Sequence, residues 1–248
     1  MGFIVIIPSR YASTRLPRKP LLDIAGKPMM QHVWERARLS GASEVYIATD
    51  HPEIRAVAEA FGAKVCMTSE KHESGTDRLQ EVVSQLGCAP DQVVVNVQGD
   101  EPLIPPEVIN QVAGLMANAE MATLFETVAA AEQVFDPNVV KLVADDAGRA
   151  LYFSRAPIPW NRDAFANGGR AVADLSLYKR HIGIYGYRAS LLNRFVGWPV
   201  GELEKIEKLE QLRALGHGVT IRVDRACREI PGGVDTQADL DRVRALLR

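Results

Sequence analysis

The sequence predicts an α/β protein built on a doubly wound, mainly parallel sheet with a smaller inserted lobe, and two observations carry that prediction. Short β-branched runs alternate with helical patterns through the first half of the chain, the order expected of parallel strands joined by crossover helices. The runs FIVII, VYIAT and VVVNV are also apolar with little alternation, as strands covered on both faces are. FIVII (3–7) is the first strand, followed by a helix near PMMQHVWERARLS; VYIAT (45–49) precedes a helix over PEIRAVAEAF; VVVNV (93–97) precedes a helix from about Pro105. From about residue 121 the rhythm changes to strand-like MATLFETV, VVKLVAD and ALYFS, then a loop, IPWNRDAFANGGRAVADL, and a strand at HIGIYGY (181–187). Helices near 188–196 and 202–215, the strand VTIRV and a last helix from about Thr236 complete the order. Residues 1–248 are expected to form a single domain, with about 121–190 contributing the lobe.

Charge and cysteine usage narrow the function classes. With 29 basic and 31 acidic residues the formal charge is −2, which argues against a partner that reads the whole surface, such as nucleic acid or a membrane. Cys66, Cys88 and Cys227 are odd in number and far apart, with no CxxC pair, so neither a disulfide framework nor a structural zinc site is expected. A reduced, cytoplasmic setting fits that usage. The apolar runs are far shorter than the roughly 18 residues of a membrane span, and the N-terminus lacks the order of a signal peptide.

In open α/β sheets ligands bind beyond the carboxyl ends of the strands. Here those ends carry SRYASTRLPRKP, DHPE and QGDEP. The first places Arg10, Arg15, Arg18 and Lys19 close together with no carboxylate between them. Such cations are ordinarily just solvated; several at one strand end also suit a polyphosphate, which needs many donors at once. No GxGxxG opens a helix after this strand and no GxxxxGK[ST] is present, so neither a dinucleotide fold nor a P-loop is indicated. In QGDEP, Asp100 is either turn chemistry or a ligand for Mg²⁺, which is held by one or two carboxylates plus substrate phosphates. Asp235 in GGVDTQADL is the candidate second ligand, or simply the residue before a Thr236–Asp239 capping box. SGTDR (74–78) is a helix start with Ser74 or Thr76 as cap, or a presentation of hydroxyls, N–H groups and Arg78 to a base. If RHIGIYGYR is a strand, His181 and Tyr185 share one face with Gly183, either as core packing or as part of a site. In LEKIEKLEQLR, Glu204 and Lys208 form an i,i+4 pair, while Leu203, Ile206, Leu209, Leu212 and Leu215 form a buried stripe.

Taken in order, IPSRYASTRLPRKPL, ATDH, VCMTSEKHESGTDRL, VVNVQGDEPLIPP, LYFSRAPIPW, RHIGIYGYR and GVDTQADL resemble the 3-deoxy-manno-octulosonate cytidylyltransferases, over nearly the whole chain. The resemblance implies a sheet of nucleotide-diphospho-sugar transferase type with a small dimerisation lobe. It also implies Mg²⁺-dependent transfer of CMP from CTP to 3-deoxy-D-manno-octulosonate (Kdo), for lipopolysaccharide synthesis, by a homodimer. Carried over residue by residue, it puts Arg10, Arg15 and Lys19 on the triphosphate and Ser74, Gly75, Thr76 and Arg78 around the cytidine. Asp100 and Asp235 would hold Mg²⁺, and Gln98, Arg155, His181, Tyr185, Glu210 and Gln211 would line the sugar-acid site, with Arg10, Lys19 and Asp100 closest to the chemistry. Arg155 suits a carboxylate because its guanidinium is a planar fork. Two features depart from the family pattern. Arg18 stands where the family has glycine, and PGGVDT is one residue shorter than PGxGVDT, a difference that could move Asp235 by about 3–4 Å. The alternatives are a cytidylyltransferase for amino-Kdo or a sialate, although the sialate family's GGSKxxxxKN loop is missing, or a non-catalytic nucleotide-binding regulator.

Overall fold

The computed structural model describes residues 2–12, 16–72, 74–166, 170, 172 and 174–247. The first half runs β1 (Phe3–Ser9), a short hairpin of β2 (Asp23–Ile24) and β3 (Lys27–Pro28), α1 (Met29–Arg38), β4 (Glu44–Thr49), α2 (Pro52–Ala60), β5 (Lys64–Met67), α3 (Gly75–Gln85), β6 (Val93–Asn96) and α4 (Pro106–Leu115). The second runs β7 (Met121–Thr127), α5 (Ala131–Phe135), β8 (Lys141–Ala144), β9 (Ala150–Ser154), β10 (Lys179–Arg188), α6 (Ala189–Phe195), α7 (Glu202–Glu207), α8 (Gln211–Gly216), β11 (Ile221–Arg225) and α9 (Gln237–Leu246). Among the described residues the main sheet has nine strands, ordered β11-β7-β10-β6-β1-β4-β5, with β8 and β9 branching from β10. β1 lies parallel to both β4 and β6, β4 to β5 and β7 to β11, while β10 runs antiparallel to β6 and β7.

The continuous apolar runs behave as expected of doubly covered strands. Val5 and Ile7 of β1 pack with Val33, Ile54 and Ile109 on one face, and Ile4 and Ile6 pack with Leu79, Val82 and Leu192 on the other. The lobe is narrower than residues 121–190, because β7 and β10 lie inside the main sheet. What projects from it has its own small core of Val128, Val134, Phe165 and Tyr178. A third cluster joins the chain's two ends: Val234, Leu240 and Val243 pack against Leu16, Ile24 and Met29.

The helix expected over 202–215 is two helices. Lys208 takes the left-handed conformation (φ 54°, ψ 46°), closing α7 and turning the chain before α8. The expected stripe is split accordingly: Leu209 and Leu212 are buried, whereas Leu203 is 52% and Ile206 79% exposed. Glu204 is not the partner of Lys208. It is buried and accepts from Arg213 Nη2 at 2.6 Å and Nε at 2.8 Å, which turns the polar side of α7 inward.

Candidate active site

The carboxyl ends of β1 and β6 are drawn together by a glycine. A Cβ on Gly99 would lie 2.6 Å from the Pro8 carbonyl oxygen, so only glycine lets the turn after β6 approach β1 this closely. The GGVDT segment is sewn to the same turn, with Val234 N–H donating to the Asp100 carbonyl at 2.8 Å. Lys19 begins a 3-10 turn that follows Arg18. Its Nζ donates to Asp100 Oδ2 at 2.6 Å and to Asp235 Oδ1 at 2.9 Å. Burial alone would lower the Lys19 pKa, but the two carboxylates outweigh it and the net shift is upward, so this ammonium stays charged. A cavity of about 480 Å³ opens here, lined by Ser9, Arg10, Lys19, Gly75, Gln98, Asp100 and Asp235. The shortened PGGVDT leaves Asp235 beside Asp100, both bonded to Lys19, and Thr236 and Asp239 form the capping box that the segment also suggested. Next to Asp100, burial and the neighbouring charge push the Glu101 carboxyl up to about 8.

A second group of polar side chains lies on the other side of the α3 N-terminus. Ser74 caps α3 in a capping box with Asp77. Thr76 Oγ1 donates to Glu210 Oε2 at 2.6 Å. Glu210 Oε1 and Gln211 Nε2 are buried without a hydrogen-bond partner among the described residues, an arrangement that costs free energy unless a ligand satisfies it. His181 and Tyr185 have ring centroids 5.3 Å apart, although four residues of regular strand would span about 13 Å. A bulge between Ile182 and Tyr185 is the cause: the two residues stand opposite Phe125 and Thr123, only two apart on β7. Burial, reinforced by Arg180, pushes the His181 imidazole down to about 3, so it is neutral at ordinary pH. Burial also raises Tyr185, Tyr187 and Glu210. Ser74, Asp77, Lys208 and Glu210 line a second cavity of about 870 Å³.

The family model for cytidylyltransferases matches residues 4–221. The 3-deoxy-manno-octulosonate cytidylyltransferase of Cellvibrio japonicus is 63% identical over 251 residues, covering 100% of this chain and 98% of the relative. This chain belongs to the 3-deoxy-manno-octulosonate cytidylyltransferase family. The enzyme of that name from Saccharophagus degradans is 60% identical over 253 residues, covering 100% of this chain and 99% of the relative. A solved structure of CMP:2-keto-3-deoxy-manno-octonic acid synthetase complexed with CTP superposes with a TM-score of 0.90 at 42% identity, covering 99% of this chain and 98% of that one. A 4-diphosphocytidyl-2C-methyl-D-erythritol synthase, 15% identical with a TM-score of 0.66, shares the fold across 100% of this chain and 98% of its own.

Not every residue carried over from the cytidylyltransferase family stands where that resemblance implies. Arg15 lies outside the described residues. Arg78 lines neither cavity: its side chain is fully buried, donating to Asp50 Oδ2 at 2.9 Å and to Thr68 Oγ1. Its charge is already paired with Asp50. Arg155 is only partly open: its Nε donates to the Glu207 carbonyl at 2.7 Å and its Nη1 to the Pro137 carbonyl at 2.8 Å, which leaves Nη2 without a partner among the described residues. Arg18 stands in the left-handed region that favours glycine (φ 57°, ψ 31°) and pairs with Glu53, outside the cavity. Sequence reasoning missed Asp50, which also accepts from Tyr11 N–H at 3.1 Å and so joins the first loop to α3. It missed Tyr187 as well, which burial and the Glu210 charge push upward; the signal was its place on the same strand face as His181 and Tyr185.

Proposed function

We propose that this chain transfers CMP from CTP to the anomeric 2-hydroxyl of Kdo, giving CMP-Kdo and pyrophosphate for lipopolysaccharide synthesis. The observation that carries the reading is one ammonium, Lys19 Nζ, bonded to both Asp100 and Asp235 at the end of β1 and β6. Two hard carboxylate oxygens that already share a cation form a donor set suited to Mg²⁺, which takes one or two carboxylates and completes its shell with phosphates and water. When bound there, Mg²⁺ supplies charge neutralisation for the phosphate oxygens. Arg10 and Lys19, with Arg15, receive the leaving pyrophosphate, Lys19 turning from the carboxylates to the phosphates as the nucleotide enters. Gly75 and the hydroxyls of Ser74 and Thr76 face the nucleoside. The unpartnered Glu210 Oε1 and Gln211 Nε2, with neutral His181, Tyr185, Gln98 and Arg155, orient the sugar acid. The Kdo 2-oxygen forms its bond to the α-phosphorus as the bond from that phosphorus to the bridging oxygen breaks, with the hydroxyl proton released to water and the electron pair leaving on pyrophosphate. Positioning and electrostatics supply the rate, as is usual in phosphoryl transfer.

A homodimer in the cytoplasm belongs to the same proposal. It is supported by Leu151, Trp160, Leu177, Leu203 and Ile206, large apolar side chains that stand exposed, and by three free cysteines suited to a reducing compartment. No helix among the described residues is long and apolar enough to cross a membrane. Pyrophosphate release tests the whole reading, with each nucleoside triphosphate crossed against Kdo, amino-Kdo, sialate and no sugar. Release with CTP and Kdo is the expected result. Silence with that pair overturns the reading, and stronger release with amino-Kdo or sialate reassigns the acceptor.

A further inference from the structure

Arg155 is gripped from several directions where the lobe meets the turn between α7 and α8. Besides the two guanidinium bonds, its N–H donates to Glu207 Oε2 at 2.9 Å, and its carbonyl accepts from Lys141 Nζ at 2.7 Å. The other Glu207 oxygen accepts from Ser154 Oγ at 2.6 Å. Lys141 is fully buried, and its two remaining donors go to the carbonyls of Asp136 at 2.8 Å and Val139 at 2.5 Å. All three donors of the ammonium are thus satisfied by main-chain oxygen, without a carboxylate in direct contact. A buried charge is a poor way to gain stability, since a well-packed apolar side chain of similar size often does as well or better. What this arrangement does supply is direction. Lys141 holds the 136–139 segment against Arg155, and Glu207 holds the end of β9 against α7. Glu207 also directly precedes the left-handed Lys208, the turn that delivers Glu210 and Gln211 to the site.

We propose that Glu207 and Lys141 are positioning residues: they touch no substrate, and they set where Arg155 on one side and Glu210 with Gln211 on the other stand for the sugar acid. This rests on the assignment of those three residues to the Kdo site. Glu207→Ala deletes both carboxylate acceptors. Glu207→Gln keeps the shape, one acceptor for the Arg155 N–H and a donor that the Ser154 hydroxyl can accept. Lys141→Met keeps the stem and removes the three bonds.

The measurement is KM for Kdo and for CTP separately, with kcat, on the full chain, alongside Arg155→Ala and Glu210→Gln. Glu207→Ala and Lys141→Met are expected to raise KM for Kdo about 10- to 100-fold, the scale of a misplacement near 1 Å, with KM for CTP unchanged within about twofold. Glu207→Gln is expected to recover most of that loss. If Glu207→Ala does not fold, Ser154→Ala removes one of the carboxylate's contacts, together with the acceptor for the Ala156 N–H at 3.0 Å, and is expected to raise KM for Kdo by about 3- to 10-fold. A response of Arg155→Ala and Glu210→Gln in KM for Kdo, with none in the Glu207, Lys141 and Ser154 variants, overturns the positioning role alone. If Arg155→Ala and Glu210→Gln leave KM for Kdo untouched, the site assignment fails and the proposal with it. A lower Tm with both KM values unchanged shows a merely structural joint and also overturns it.

Discussion

Lys19 Nζ joins two acids that are 81 and 216 residues away in sequence. Its importance could be guessed from an unpaired cluster of cations, but its partners could not, because nothing local in SRYASTRLPRKP refers to residue 235. Asp100→Asn keeps the shape and removes one carboxylate charge, and turnover is expected to fall by at least about 10²-fold with the fold retained. Pyrophosphate release and circular dichroism check the two parts, and retention of most activity would remove Asp100 from the chemistry. Arg18 illustrates the opposite case, a residue whose oddity was visible and whose explanation was not. Its backbone is left-handed, and its guanidinium pairs with Glu53. Arg18→Gly therefore relieves strain, forfeits an exposed ion pair and should change stability by no more than about 1 kcal/mol. KM for CTP should be unchanged; a tenfold rise would return Arg18 to the phosphate site. The burial of Arg78 was not legible because SGTDR looks the same whether its arginine faces outward or a buried Asp50, 28 residues back.

Among the elements, the strands and crossover helices of the first half were legible because period and punctuation agree there. The α7–α8 break was not, because no glycine or proline marks it: Lys208 is an ordinary residue in an unusual conformation. Leu203, Ile206, Leu209, Leu212 and Leu215 keep helical spacing straight across the turn, so periodicity alone joins what the backbone separates. The buried Glu204–Arg213 pair holds the two helices in the broken arrangement. Lys208→Gly should be more stable than Lys208→Val by about 1–2 kcal/mol, since a β-branched side chain tolerates positive φ least. Urea unfolding midpoints of the two variants measure the difference, and equal midpoints would mean the turn can adopt another conformation without cost. The bulge in β10 is a similar case: alternation placed His181 and Tyr185 on one face, while the insertion that brings their rings together has no local signature beyond Gly183.

At the scale of the whole molecule, burial of His181 couples stability to pH. Its folded value, about 3, lies below the unfolded 6.5, so acid protonates the unfolded chain first. The His181 contribution to stability should be constant above about pH 6.5 and fall as the pH drops from there toward 3, with a slope approaching about 1.4 kcal/mol per pH unit. His181→Gln should lack that component. Unfolding free energies of the two proteins at pH 7, 6, 5 and 4 give the comparison, and parallel curves would contradict the burial. The architecture of the sheet was legible in this molecule to the extent that it is sequential. The site was legible mainly through resemblance, because its halves come from distant segments. The same wiring has a consequence for synthesis. Asp235 completes the ion bridge begun at Lys19, and Val234, Leu240 and Val243 cover Leu16, Ile24 and Met29. With translation at about 5–20 residues per second, the 216-residue interval makes Lys19 wait roughly 10–40 s for that partner. Through that interval the first loop is on the growing chain without the residues that tie it down, so Lys19 and Leu16 stay solvent-facing long after β1 has been made.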